Sequence, residues 1–434
     1  MIPLDLAEVA RVAPGSLTAA RGAARVTGLT IDSRRVRPGD LFVAVGRGVE
    51  FVGEALAAGA AAALAPDDAF TALAALGRAV RERSRARVVA VTGSIAKTST
   101  KDILGALVRP HLRAVVAEGS QNNEIGLPLT LARLEEDTDV AVVEMGMRGL
   151  GQIAELCKVA QPEVGIITKV GPVHLELLGT IERVAQAKAE LVAALPPSGT
   201  AIVPAAEPAL DPFLRRADVH LVRVGAGGDV ELREFAPRAG GCRILALVHG
   251  ERVELELPVA SRYNAANTVT ALAAYHALGL PLAEAHRGAA EIRLSPWRGE
   301  EVALPGDGLL VNDAYNANPL SMTAALEHLA ERAGDRRRVA VLGDMAELGS
   351  AAAAYHREVA VVARRSGVVA LVAVGDLARS YLDGGVAETR WAPDALAAIP
   401  LVRELVRPGD AVLVKGSRSV GLEAVADALT AVPA

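Results

Sequence analysis

The run Val88-Val89-Ala90-Val91-Thr92-Gly93-Ser94-Ile95-Ala96-Lys97-Thr98-Ser99-Thr100-Lys101 restricts what this chain can fold into more than any other stretch. Its β-branched start reads as a buried strand, Gly93-Ser94 as a tight turn, and Lys97-Thr98 as the opening of a helix expected to run to about Val108. In that order they make a phosphate cradle. Backbone N–H groups at the helix start face an anion, Lys97 can neutralise β/γ-phosphate charge, and the Thr98 hydroxyl can ligate Mg²⁺. The strict pattern G-x-x-x-x-G-K-[ST] asks for Gly where Val91 and Ala96 stand, so an ordinary strand-turn-helix with an exposed lysine stays open on this segment alone.

The rest of the composition narrows the class. A length of 434 residues suits two to four domains, and with aromatics at 3% their cores must be built from Ala, Val and Leu. The net charge of -5, without a long basic block, argues against nucleic acid or anionic lipid as a partner and for an enzyme. Met1-Ile2-Pro3-Leu4-Asp5-Leu6 has no basic, apolar leader pattern and no span reaches membrane length, so no membrane insertion and a cytoplasmic location are expected. Cys157 and Cys242 lack metal or redox spacing and read as small buried apolar residues.

Residues 1–83 form a first unit ending in an Ala-rich helix, Ala69 to Arg83. Within it, Thr30 to Ala44 reads as strand, basic turn and strand, where Arg34, Arg35 and Arg37 could clamp a diphosphate or lie on a solvated turn. From 84 to about 297 strands and helices alternate, which argues for a parallel sheet with helices on both faces. The strand Asp139–Met147 places Glu144 at its C-terminal end, and the strand Val164–Thr168 leads to His174. Both carboxylate and imidazole thus lie where open α/β sheets bind ligands, as loop caps or as metal ligands. The polar loop Gly119–Thr130 carries Asn122, Asn123 and Glu124, and the helix Ile181 to Leu195 carries Lys188, for which a solvated surface is the plain reading.

Residues 200–258 read as an antiparallel extension of the sheet. Ser261 to Asn267 then opens a helix with Asn264 and Asn267 on one face. A third unit begins near Trp297, with strands at Gly308–Asn312, Arg338–Leu342, Val368–Val374 and Ala411–Val414. Three polar loops follow three of these strands, Asn312–Pro319, Gly343–Gly349 and Lys415–Arg418, and are expected on one edge of the sheet, facing a ligand.

These motifs, in this order, resemble the Mur ligases: Thr92-Gly93-Ser94 with Lys97-Thr98, Asn122-Asn123-Glu124-Ile125-Gly126, Glu144-Met145-Gly146-Met147, Gly171-Pro172-Val173-His174, Tyr315-Asn316-Ala317-Asn318-Pro319, Gly343-Asp344-Met345 and Lys415-Gly416-Ser417-Arg418. The Tyr-Asn-Ala-Asn-Pro loop is similar to that of the branch joining D-alanyl-D-alanine to UDP-N-acetylmuramoyl-tripeptide. The resemblance implies an α/β chain of three domains: 1–83 for the UDP-sugar, a central parallel-sheet P-loop ATPase at 84–297, and a Rossmann-like domain at 298–434 that closes on ATP and dipeptide. It also implies ATP and Mg²⁺ as cofactors, an acyl phosphate intermediate and a monomer.

Carried over by motif, the resemblance assigns Gly93, Ser94, Ala96, Lys97, Thr98, Ser99, Asn267, Arg298 and Asp313 to the nucleotide. Thr98, Glu144 and His174 fall to the metal. Lys97, Lys188 (as a carbamate) and His174 fall to catalysis. Ser33 and Arg34 are assigned to the UDP end, with Asn122, Asn123, Glu124, Tyr315, Asn316, Asn318, Lys415, Ser417 and Arg418 as further substrate contacts. The chain departs from the family pattern at Ala96 (usually Gly), Lys169 (usually Asn), Ser120-Gln121 (an Asn-aromatic pair) and Tyr263 (usually His). It also lacks the Asp-Gly-His stretch after Phe42. An amide ligase of the folylpolyglutamate type, or a homologue that binds without turnover, are the alternatives.

Overall fold

The structure is a computed structural model and describes residues 1–238 and 240–431. They form two compact units. The first takes Met1–Lys169, Ala185–Pro258 and Ala266–Arg293; the second takes Val170–Val184, Val259–Ala265 and Leu294–Ala434.

The first unit holds a nine-stranded sheet ordered Glu251–Leu257, Gly241–Val248, Val230–Arg238, His220–Val224, Thr200–Pro204, Val164–Ile167, Arg87–Thr92, Val140–Glu144 and Ala114–Val116. The three strands Arg87–Thr92, Val140–Glu144 and Val164–Ile167 are almost wholly buried, as expected of β-branched runs covered on both faces. The chain leaves Arg87–Thr92 for one side of the sheet and returns on its other side at Val164–Ile167. This strand is therefore a topological switch point, and its C-terminal end opens a crevice between two diverging connections.

The expected antiparallel extension over 200–258 begins later than the sequence suggested. Thr200–Pro204 and His220–Val224 run parallel to their neighbours, because the connection between them is a long crossover with a 3-10 turn at Asp211–Phe213 rather than a hairpin. The antiparallel part is Val230–Arg238, Gly241–Val248 and Glu251–Leu257, the last two joined by a hairpin turned by His249 and Gly250 at φ 48° and 87°.

A four-stranded sheet near the N-terminus has the order Gly15–Ala19, Ala62–Pro66, Asp40–Val43, Gly28–Thr30. The basic stretch does not make a hairpin, since Gly28–Thr30 and Asp40–Val43 are parallel and joined through a 3-10 turn at Ser33–Arg35. The helix Ala69–Arg83 starts where Asp68 accepts the Thr71 N–H at 2.6 Å.

The second unit is built on a six-stranded sheet, Glu300–Leu304, Gly308–Asn312, Ala411–Lys415, Arg338–Gly343, Val368–Val374 and Glu388–Ala392, parallel except for the first pair. Ala411–Lys415 returns between Gly308–Asn312 and Arg338–Gly343, which makes a second switch point. Apolar clusters fill both faces, one around Leu326, Leu342 and Leu371, the other around Val341, Val372 and Val412.

Candidate functional site

In the first unit the switch-point strand ends at Thr92, and the helix Lys97–Val108 begins five residues later, as the sequence predicts. Gly93 has φ 150°, and a Cβ there would overlap Thr168 Oγ1, so the tight approach of the neighbouring strand end requires glycine. That same Thr168 hydroxyl donates to the Ile95 carbonyl at 2.5 Å, and Ser94 N–H donates to the Lys169 carbonyl at 2.8 Å. The loop is thus shaped by the end of Val164–Ile167, and at this contact Lys169 acts through its backbone carbonyl. Ala96 takes the left-handed conformation (φ 65°, ψ 0°) immediately before the helix, a position favouring glycine by about 1–2 kcal/mol.

Lys97 Nζ donates back to the Gly93 carbonyl at 2.8 Å, bending its charge over the loop. Thr98 is 2% exposed and donates its hydroxyl to Glu144 Oε2 at 2.8 Å. Glu144 Oε1 accepts from Asn122 Nδ2 at 2.8 Å, and Ser120 Oγ lies 3.4 Å from Thr98 Oγ1. Asn123 caps the following helix by accepting the Gly126 N–H at 2.9 Å, while Glu124 is exposed in the turn. A buried carboxylate held by an amide and a hydroxyl offers hard oxygen ligands of the kind Mg²⁺ takes, so this donor set fits that ion.

Lys188 is no solvated surface lysine. It is 2% exposed, and burial, with the neighbouring Lys97 charge adding to it, holds its ammonium well below the usual lysine range. Asn267 is half-buried on the helix Arg262–Ala277, and Ser99 is buried one residue beyond Thr98. Cys157 and Cys242 are buried and free, and burial pushes the Cys157 thiol up to about 12, which keeps it inert.

Ser33 and Arg34 sit on the 3-10 turn. Ser33 donates to Glu54 at 3.2 Å, and the exposed Arg34 fork grips Asp32 with two bonds of 2.8 Å. Those bonds bring the Asp32 carboxyl down to about 2. Where the family's Asp-Gly-His stretch is missing, Gly46–Phe51 forms a 3-10 turn that exposes Val49 and Phe51.

In the second unit the three polar loops do meet at one sheet edge. Lys415, buried at the end of its strand, donates to Asp313 Oδ2 at 2.6 Å and to the Asn316 carbonyl at 2.8 Å. Burial lowers the Lys415 pKa, and the Asp313 charge acts in the opposite sense. Ser417 N–H donates to the Asp344 carbonyl at 2.9 Å, and its hydroxyl accepts from Ala346 N–H at 3.0 Å. Arg298 lies 3.7 Å over the Tyr315 ring, and Arg418, bonded to Glu423, lies 4.7 Å over Trp297. Asn318 caps the helix Pro319–Ala333 with a capping box. Tyr263 meets His328 edge-on at 5.7 Å, and its hydroxyl fills the space a Cβ on Gly299 would need.

His174 also belongs to the second unit, where its ring bonds the Glu347 carboxylate. The residues that sequence reasoning left out of the site are Thr168, Glu347, Trp297 and Lys101. Thr168 was visible as a hydroxyl at a strand end, but its acceptor in the loop was not.

The Mur ligase middle domain matches residues 91–275, and the Mur ligase glutamate ligase domain matches 297–418. A UDP-N-acetylmuramoyl-tripeptide--D-alanyl-D-alanine ligase from Mycobacterium bovis is 35% identical, over 99% of this chain and 98% of that one. The chain belongs to the Mur ligase family. Among solved Mur ligases, MurF from Acinetobacter baumannii superposes with a TM-score of 0.87 at 27% identity, covering 99% of each chain. MurF from Thermotoga maritima in complex with ADP superposes with a TM-score of 0.81 at 27% identity, covering 93% of this chain and 96% of that one. This Mur ligase has, among its described residues, no helix long and apolar enough to cross a membrane.

Proposed function

We propose that this Mur ligase uses ATP to join D-alanyl-D-alanine to UDP-N-acetylmuramoyl-tripeptide, a step of peptidoglycan precursor synthesis in the cytoplasm. The observation that carries the reading is the full-length likeness to ligases of that name. In this reading residues 1–83 hold the UDP-sugar with Ser33 and Arg34, 84–297 hold ATP, and 298–434 serve the dipeptide.

The terminal carboxylate of the tripeptide attacks the γ-phosphorus, the bond to the β-phosphate oxygen breaks, and ADP leaves. The amine of D-alanyl-D-alanine then attacks the acyl carbon, loses a proton, and expels inorganic phosphate as the amide forms. Charge builds on phosphoryl oxygens in the first step, so cations and fixed N–H donors there lower the barrier. Lys97 and the backbone of Gly93 to Ser99 supply them. Mg²⁺, when bound, would neutralise phosphate oxygens, held by Thr98 and Glu144, with His174 assigned to it by the family pattern. Burial and the Lys97 charge lower the Lys188 pKa and so favour the neutral amine that carbon dioxide needs to form a carbamate, and the product anion beside Lys97 would be compensated. Arg298, Asp313 and Asn267 are assigned to adenine and ribose, and Asn122, Asn123, Glu124, Tyr315, Asn316, Asn318, Lys415, Ser417 and Arg418 to substrate.

The test is purified protein with ATP, Mg²⁺, UDP-tripeptide and D-alanyl-D-alanine. Phosphate release with a pentapeptide product by mass spectrometry is expected. Turnover only with glutamate as acceptor, or none with any acceptor, would refute the proposal.

A further inference from the structure

Lys101 is a charged side chain for which the reaction above has no task, yet it is only 1% exposed. An ammonium taken out of water must be given acceptors, and this one has two. Its Nζ donates to Asp102 Oδ1 at 2.5 Å and to the Ala117 carbonyl at 2.6 Å. Lys101 stands three residues beyond Thr98 on the helix Lys97–Val108, so the two side chains leave the same face one turn apart.

Ala117 is the point where the edge strand Ala114–Val116 leaves the sheet, after its N–H has bonded the Val142 carbonyl at 2.9 Å. The chain then runs directly through Glu118 and Gly119 to Ser120, beside Thr98, and to Asn122, whose amide holds Glu144. The far end of this segment is tied by Gly146 N–H donating to the Asn122 carbonyl at 2.7 Å and by the Asn123 cap. Lys101 ties the near end to the helix that carries Thr98. One helix face therefore fixes the hydroxyl and, a turn later, the base of the segment that aims the carboxylate toward it.

We propose that Lys101 is a positioning residue for the phosphate and metal site: through the Ala117 carbonyl it sets the Ala117–Asn123 segment so that Asn122 holds Glu144 against Thr98. This rests on the nucleotide reading above. The test is calorimetry of ADP binding with and without Mg²⁺, beside ligase turnover, for wild type, Lys101→Met, Lys101→Arg, Asn122→Ala and the double variant Lys101→Met/Asn122→Ala.

Lys101→Met should lose about tenfold or more of the affinity that Mg²⁺ adds to ADP, in the range seen when groups behind a metal ligand are removed. Metal-free ADP affinity and the KM for dipeptide should not move. Lys101→Arg, which keeps charge and donors, should recover most of the loss, and the double variant should be little worse than Asn122→Ala alone, since both act on one carboxylate. A Lys101→Met protein with a lower melting temperature but the wild-type Mg²⁺ increment would overturn the proposal, as would full additivity in the double variant. If Lys101→Met does not fold, Lys101→Gln takes its place: a Mg²⁺ increment lowered with metal-free ADP binding intact supports the proposal, and a wild-type increment overturns it. Wild type that binds ADP but makes no pentapeptide would instead break the functional reading and leave this calorimetric test standing.

Discussion

The two switch points, one per unit, share a topology and differ in how they are built. At the end of Arg87–Thr92 the working groups are backbone amides, a helix start, a hydroxyl and a carboxylate, with Lys97 folded over them. At the end of Ala411–Lys415 the groups are long side chains already paired with one another: Lys415 with Asp313, Arg298 with Tyr315, Arg418 with Glu423 and Trp297. The first edge carries its polarity on the backbone, hydroxyl and carboxylate of one strand-turn-helix and the adjoining strand, tied by local bonds. The second is a cross-linked set whose order depends on each partner being present. One fold feature can thus be built on a contiguous strand-turn-helix or as an interlocked side-chain surface, depending on whether backbone or side chains carry the polarity.

The largest test of this contrast is Lys415→Met. It would strand the Asp313 carboxylate, whose side chain is 14% exposed, and should cost about 3–5 kcal/mol of stability. Urea unfolding followed by tryptophan fluorescence reads this directly, because both tryptophans, Trp297 and Trp391, lie in the second unit. A loss below about 1 kcal/mol, as for a surface pair, would break the description of an interlocked edge.

At the cradle the expected effect falls on rate instead of stability. Lys97→Ala should lower kcat by roughly 10²–10³-fold, the cost of removing one charge-stabilising donor, with little change in melting temperature. A stability loss as large as that of Lys415→Met would erase the distinction between the two edges.

Lys188 sharpens it further. Its folded pKa is lowered, so between that value and the unfolded value near 10.5 the unfolded chain binds the extra proton. Its contribution to stability is therefore unfavourable at neutral pH and is relieved as pH rises toward 10.5. Lys188→Met should abolish turnover while raising the melting temperature at pH 7 in bicarbonate-free buffer, and the gain should shrink as pH approaches 10. A gain that is constant with pH would mean the amine is charged in the fold. Smallest is Ala96→Gly, which relieves a left-handed alanine and should add about 1 kcal/mol after the entropy of the extra glycine is subtracted. A loss of stability would show that Ala96 is not strained.

The same contrast explains what could be read from the residues. The cradle was legible because strand, turn and helix start are contiguous, and the elements Arg87–Thr92, Lys97–Val108 and Val140–Glu144 follow their apolar patterns closely. The paired edge was legible only as residue types: Lys415 and Asp313 lie 102 positions apart, and His174 and Glu347 lie 173 apart, distances at which no local pattern names a partner. In the second unit two strands went unread, Glu300–Leu304 and Glu388–Ala392. Both are edges of the second sheet and carry charges that blunt edge pairing, which hides their alternation. The pair around Ser33–Arg35 reads as strand, turn and strand, because turn residues mark a bend in the chain but not whether the strands it joins run parallel or antiparallel.

The proposed chemistry is phosphoryl transfer to a substrate carboxylate at the Lys97–Thr98–Glu144 cradle. The most direct measurement is transfer of ¹⁸O from a UDP-tripeptide labelled in its terminal carboxylate, with the released phosphate analysed by mass spectrometry. One labelled oxygen in each phosphate, formed together with pentapeptide and lost in the Lys97→Ala protein, is the predicted result. Unlabelled phosphate accompanying pentapeptide formation would contradict it.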